Sequence, residues 1–148
     1  LVGSEMCIRD RGRGLKDAMK KALKDASAEA SSIEYVNAHA PSTPIGDASE
    51  IKALKQVFPL PQAISVSSTK ALTGHGLSLS SIMETAFCCL GLKNGFVPGS
   101  AHVTEPDPEL DHLRLLRVTE NRQVDRMLSN SSGFGGANVS VILDRAHA

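Results

Sequence analysis

The sequence predicts an α/β fold built on a largely parallel sheet. Short apolar runs at 33–38 and 63–66 each lead into a segment rich in Ser, Thr, Pro and Gly, and a helical pattern follows each. Strands that alternate with helices need crossover connections, so they lie parallel and are covered on both faces. Length and composition agree. At 148 residues, 41% hydrophobic and 22% charged, the chain has the make-up of one globular domain with a well-buried core.

The elements follow in order. Residues 15–30 read as a helix, because Leu15, Met19, Leu23 and Ala26 recur at helical spacing while Lys16, Lys20, Lys21 and Lys24 take the wetter face. Asp17 is placed to reach Lys21 one turn on. Residues 33–38 form a strand that ends on His39. Thr43-Pro44 supplies an N-cap and a proline at the first helical position, and that helix runs through Ile51, Leu54 and Phe58 until Pro59 and Pro61 stop it. Residues 63–66 make a second strand, leading to Ser68-Thr69-Lys70 and Gly74-His75. From 77 to 92 the chain is apolar or small nearly all round, which predicts a helix enclosed on every side, ended at Lys93-Asn94-Gly95. Three prolines make 96–108 a crossing loop, and 113–118 is an edge-strand candidate. Residues 127–130 and 137–143 read as strands around the turn 131–136.

Composition narrows the function. Sixteen basic and sixteen acidic residues give a formal net charge of zero, without the basic excess of an electrostatic nucleic-acid binder. No uninterrupted apolar run approaches the roughly 20 residues of a membrane span. Three cysteines, two adjacent, make no disulfide framework and suit a reducing cytoplasm. The absence of Cys-x-x-Cys and of paired histidines at ligand spacing argues against a structural metal. Residues 1–11 resemble the translation of a sequencing-library adapter. We set them aside as a scar, leaving 12–148 as a single domain that continues a longer native chain.

His39 and His75 each follow a predicted strand, where ligands gather in α/β sheets. One such histidine is commonly a hydrogen-bonded structural residue; two on neighbouring strands suggest a shared site. A pair of neutral imidazoles can hold a carbonyl oxygen as it becomes negative. Gly133-Phe134-Gly135-Gly136 reads either as a tight hairpin that needs positive φ or as a turn whose N–H groups approach a ligand oxygen with Phe134 as a gate. A phosphate cradle is the weaker option, because no helix and no Lys-Ser/Thr pair follow.

Three ordered blocks carry a resemblance: His39-Ala-Pro-Ser-Thr43-Pro-Ile-Gly-Asp47, Ser68-Thr69-Lys70 with Gly74-His75, and Asn130-Ser-Ser-Gly133-Phe134-Gly135-Gly136-Ala-Asn138. Together they resemble the C-terminal half of β-ketoacyl-[acyl carrier protein] synthases over about residues 15–145. The resemblance implies a thiolase-like fold, of which this chain would be the incomplete C-terminal half of a five-layered αβαβα sandwich. It further implies decarboxylative Claisen condensation with malonyl-acyl carrier protein in fatty acid or polyketide synthesis. Acyl carrier protein and the amino-terminal half would be the partners, in a dimer when complete. Substrates would arrive on the carrier's phosphopantetheine, with no cofactor of the enzyme's own. His39 and His75 match the two catalytic histidines, and Lys70 and Glu84 the supporting lysine and glutamate, a network equally readable as a plain buried ion pair. Phe134, flanked by Gly133 and Gly135, matches the gate and oxyanion-hole segment. Thr43 matches a pantetheine-binding threonine.

The departures matter as well. Ala40-Pro41 stands where the family usually has Gly-Thr, so a hydroxyl and an N–H are missing. Ser78-Leu79-Ser80-Ser81 replaces a run of small residues, and Ser132 stands where many members carry phenylalanine. No cysteine occupies a nucleophile elbow: Cys88 and Cys89 lie late in an apolar helix, which also disfavours a thiolase. Beside the synthase we weighed a non-catalytic partner similar to a chain-length factor. Retention of both histidines favours the enzyme.

Overall fold

The computed structural model describes residues 12–59, 64–111 and 113–146, without the side chain of Phe134. The expectations for residues 1–11, for Pro61 and for Ala63 fall outside these. Within them the chain forms α1 (Arg13–Asp25), β1 (Tyr35–Asn37), α2 (Pro44–Val57), β2 (Ser65–Ser67), α3 (Lys70–Thr73), α4 (Ser80–Asn94), β3 (Arg114–Leu115), β4 (Arg126–Ser132) and β5 (Asn138–Asp144). The strands make one sheet in the order β3-β2-β1-β4-β5. β1 lies parallel to both β2 and β4, β2 lies parallel to β3, and β5 runs antiparallel to β4.

Alternation along the strands sends side chains to two covering layers. Val36, Val66 and Leu128 meet α1 and α2 through Leu15, Met19, Leu23, Leu54 and Val57. Tyr35 and Met127 point the other way, toward Cys88 and Leu92 of α4 and toward Val97 and Val124. On that second face the Tyr35 hydroxyl donates to Ser67 Oγ at 2.7 Å, and Ser67 Oγ donates in turn to the Pro98 carbonyl at 2.6 Å. A buried phenol is tolerable only when so paired.

Local chemistry trims the predicted boundaries. α1 ends at Asp25 rather than near Ala30, because the chain reverses through Ser27 at φ 49° and a short 3₁₀ turn covers Ala30–Ser32. Asp17 pairs with Arg13 at 3.7 Å, so its predicted reach to Lys21 is not the ion pair formed. Thr43 does occupy the N-cap of α2, but its side chain makes no capping bond; Asp47 Oδ1 instead accepts the Thr43 N–H at 3.3 Å. α4 stops where Gly95 takes a left-handed φ of 74° and returns its N–H to Gly91.

The pattern of α4 calls for cover on every side, and the described residues supply it on one side, as expected of a half that packs against another. Its buried stripe is Ser80, Glu84, Cys88, Gly91 and Leu92, whereas Ile82 is 70% exposed and Leu90 48%. Leu72, Leu77 and Leu79 are exposed beside it. Sequence pattern tells how greasy a helix is but not who covers it. An apolar surface of this kind drives association. Expressed alone, the 148-residue chain should therefore self-associate, and Ile82→Lys with Leu79→Glu should shift it toward monomer. A compact wild-type monomer by sedimentation would contradict this.

Candidate active site

β1, β2 and β4 run parallel, so the segments that leave their carboxyl ends meet at one end of the sheet. His39 leaves β1, His75 follows β2 and α3, and the turn 133–136 leaves β4. The two imidazoles stand edge to face, with ring centroids 5.3 Å apart and planes at 81°. The expected convergence of the two histidines is thus what the fold produces.

Each ring is held differently. His75 Nδ1 accepts the Leu77 N–H at 3.2 Å and lies 3.0 Å from Ser80 Oγ. His39 is set from its backbone: its N–H donates to Glu50 Oε1 at 3.0 Å, and the next N–H, of Ala40, donates to Glu50 Oε2 at 2.8 Å. Asn130 Nδ2 adds a third donor to the same carboxylate at 3.2 Å, while Asn130 Oδ1 accepts the Ser140 hydroxyl. One buried acid therefore ties the His39 segment to β4, the strand that leads into the glycine turn. Burial pushes its carboxyl upward, and the three N–H donors oppose that. The segment needs such a clamp. Ala40 has φ 21° and Ser42 φ 65°, conformations that favour glycine and persist only when their surroundings enforce them.

Beneath the histidines, Lys70 of α3 donates to Glu84 of α4; the two side chains are only 6% and 2% exposed. Burial raises the Glu84 carboxyl, and the lysine opposes that. Burial, then the Lys70 charge, then His75 drive His39 down from 6.5 to about 4. Burial, with the Lys70 charge second, thus keeps His39 neutral. The sign follows: between pH 6.5 and about 4 the unfolded chain binds the proton more readily. Neutral His39 accordingly favours the fold above that window, and this contribution is lost as pH falls through it. In the complete protein, the His39 ring carbon resonance should stay in its neutral position from pH 8 to about 5. Titration near 6.5 would contradict the electrostatic setting.

The turn uses left-handed glycines at Gly135 (φ 78°) and Gly136 (φ 83°), conformations in which a side chain would be strained. It is closed by the Gly133 N–H to the Ala137 carbonyl at 2.8 Å and by Asn138, which accepts from Ser132 Oγ and donates to the Gly136 carbonyl. The gating role expected of Phe134 rests on a side chain outside those described. Thr43 is exposed at the start of α2. Cys88 is buried and its thiol is pushed up to about 12, which leaves it protonated and unreactive at neutral pH.

The sequence pattern assigns no role to Glu50, and it places Asn130 and Ser80 in motifs without one. A signal for Glu50 existed: it shares the i, i+4, i+7 stripe of Leu54 and Val57, and an acid on an apolar stripe must be paired inside.

Comparison with known proteins places this geometry in a family. The family described as "Beta-ketoacyl synthase, C-terminal domain" matches residues 3–104. The 3-oxoacyl-[acyl-carrier-protein] synthase 2 of Staphylococcus aureus (strain COL) is 37% identical over 138 residues, 93% of this chain and 33% of that protein. This chain therefore spans about a third of the length of that curated relative. Among solved structures, the ishigamide ketosynthase/chain length factor superposes with a TM-score of 0.86 at 27% identity, over 92% of this chain and 34% of that one. A type II polyketide acyl-carrier protein in complex with its ketosynthase gives 0.83 at 30% identity, over 93% and 34%. The sheet with its covering helices is accordingly part of a thiolase-like fold, and the chain belongs to the β-ketoacyl synthase family, aligning with its C-terminal domain.

Proposed function

We propose that residues 12–148 are the C-terminal part of a condensing β-ketoacyl-[acyl carrier protein] synthase, which extends an acyl thioester with malonyl-acyl carrier protein in fatty acid or polyketide synthesis. The observation that carries this is the edge-to-face pair of His39 and His75 at the carboxyl ends of adjacent parallel strands. His39 is held neutral, and a buried Lys70–Glu84 pair lies below.

The chemistry follows from the atoms. The bond between the malonyl carboxylate and its α-carbon breaks, CO₂ leaves, and the electron pair passes to the thioester as an enolate. Neutral imidazoles that present N–H groups to that oxygen stabilise the charge as it develops. On His75 the Leu77 N–H occupies Nδ1, so the proton resides on Nε2, the nitrogen free to face substrate. The enolate carbon then attacks the acyl thioester of a cysteine, the tetrahedral oxyanion collapses, and the cysteine thiolate leaves. We place that cysteine in the amino-terminal part of the complete protein: Cys88 is buried and protonated, and neither it nor the exposed Cys89, both late in α4, sits at a strand-to-helix elbow. N–H groups of residues 134–136 suit the oxyanion; the Gly133 N–H, expected to share that role, is taken by the Ala137 carbonyl. Thr43, exposed at the start of α2, suits the pantetheine arm that brings substrate, and the reaction so written calls for no cofactor of the enzyme's own.

The uncovered face of α4 supports an amino-terminal half packed upon it, and the complete protein as a dimer. Carrier protein is the natural partner, as in the structurally similar ketosynthase complex. No helix among the described residues is long and apolar enough to cross a membrane. Balanced charge argues against nucleic acid as a partner, and a cytoplasmic setting fits free cysteines. A second reading, a chain-length-factor-like partner without condensing activity, draws on Ala40-Pro41 and on the likeness to a ketosynthase/chain length factor.

The coding sequence upstream of residue 12 decides between them. A cysteine at the nucleophile elbow, with β-ketoacyl product from the complete protein, supports the enzyme. Another residue there, with no product, supports the partner.

A further inference from the structure

We infer that Ser80 is a positioning residue that shares with the Leu77 N–H the task of holding the tautomer of His75, an inference resting on the reading of His75 as an enolate-stabilising group. Ser80 is 5% exposed at the first position of α4, and the polar neighbour of its hydroxyl is His75 Nδ1, 3.0 Å away. The Leu77 N–H reaches the same nitrogen at 3.2 Å. An N–H can only donate, so its approach requires a bare lone pair on Nδ1 and places the ring proton on Nε2. The serine hydroxyl, nearer and able to rotate, gives Nδ1 a second donor. Leu77 itself sits at φ 51°, a strained conformation for a branched side chain, so the backbone bond stands on a segment that costs energy to hold. Ser80 comes from the rigid helix and shares that duty. The two donors share the single lone pair of Nδ1, which fixes the ring plane and leaves Nε2 to carry the proton. Ser80 belongs to the 78–81 run, where the family resemblance leads one to expect Gly-Ala-Ala-Gly, residues without a hydroxyl.

The test uses the complete protein with ¹⁵N-labelled histidine rings, His75 being assigned by its loss in His75→Ala. Wild type should show a bare Nδ1 and a protonated Nε2. Ser80→Ala should move the Nδ1 resonance toward the protonated position and lower malonyl decarboxylation about fivefold to tenfold, the share of one hydrogen bond. Ser80→Thr, which keeps the hydroxyl, should retain both wild-type values. A merely space-filling serine predicts that Ser80→Ala leaves the ring resonances unchanged, and that result would overturn the inference, as would Ser80→Thr behaving like Ser80→Ala. If His75→Ala leaves decarboxylation intact while Ser80→Ala still shifts the ring, the functional reading fails and the positioning of His75 by Ser80 stands.

Discussion

Replacing either His39 or His75 by alanine should lower malonyl decarboxylation by the complete protein about 100-fold to 1,000-fold, the usual cost of removing one donor to a developing oxyanion. On the proposed reading the rings, 5.3 Å apart, serve one oxygen, so the double replacement should cost little more than the worse single one. Transfer of the acyl group to the nucleophilic cysteine makes a different demand, because no CO₂ leaves and no enolate forms. That half-reaction should stay within a few-fold of wild type. Measuring CO₂ release from malonyl-carrier protein separately from acyl transfer reads both. Equal losses in the two half-reactions would mean that the histidines hold the fold rather than the enolate.

Breaking the Lys70–Glu84 pair should be the most damaging change to stability. Both side chains are almost wholly buried, so Lys70→Met leaves a carboxylate, and Glu84→Leu an ammonium, without its counter-charge. Such orphaned charges cost roughly 3–5 kcal/mol. Joining the two replacements removes both charges and should recover most of the loss. If the pair served stability alone, the joined variant would also be active. On our reading it is not fully so, because Lys70 helps hold His39 neutral. Thermal denaturation should therefore show recovery in the double variant, while the His39 titration moves up from about 4. Strictly additive stability losses would contradict the pairing account.

Part of this was legible in the residues themselves. Strand-then-helix alternation fixed the parallel core, and His39 and His75 stood out because both follow strands into segments of small polar residues. Short-range signals located the helix ends to within a few residues, failing where a backbone reversal such as Ser27 has no signature stronger than a serine. The demand of α4 for cover was legible in its hydropathy; which of its sides this chain would cover was not. Glu50 and Ser80 were hidden for a related reason. Each acts through geometry that exists only once α2 or α4 is packed: Glu50 on the N–H groups of residues 39 and 40, Ser80 on a ring nitrogen five residues earlier. Thr43 shows the reverse, a correct N-cap position with the bond made by Asp47 instead.

The central claim is that two neutral imidazoles share one substrate oxygen. A crystal structure of the complete protein bound to a non-decarboxylating malonyl-pantetheine analogue tests it directly. The account predicts the thioester oxygen within about 3 Å of a ring nitrogen of His39 and of Nε2 of His75, with Nδ1 of His75 still engaged by Leu77 and Ser80. A thioester oxygen bound away from both rings, or rings that separate when the analogue enters, would contradict it.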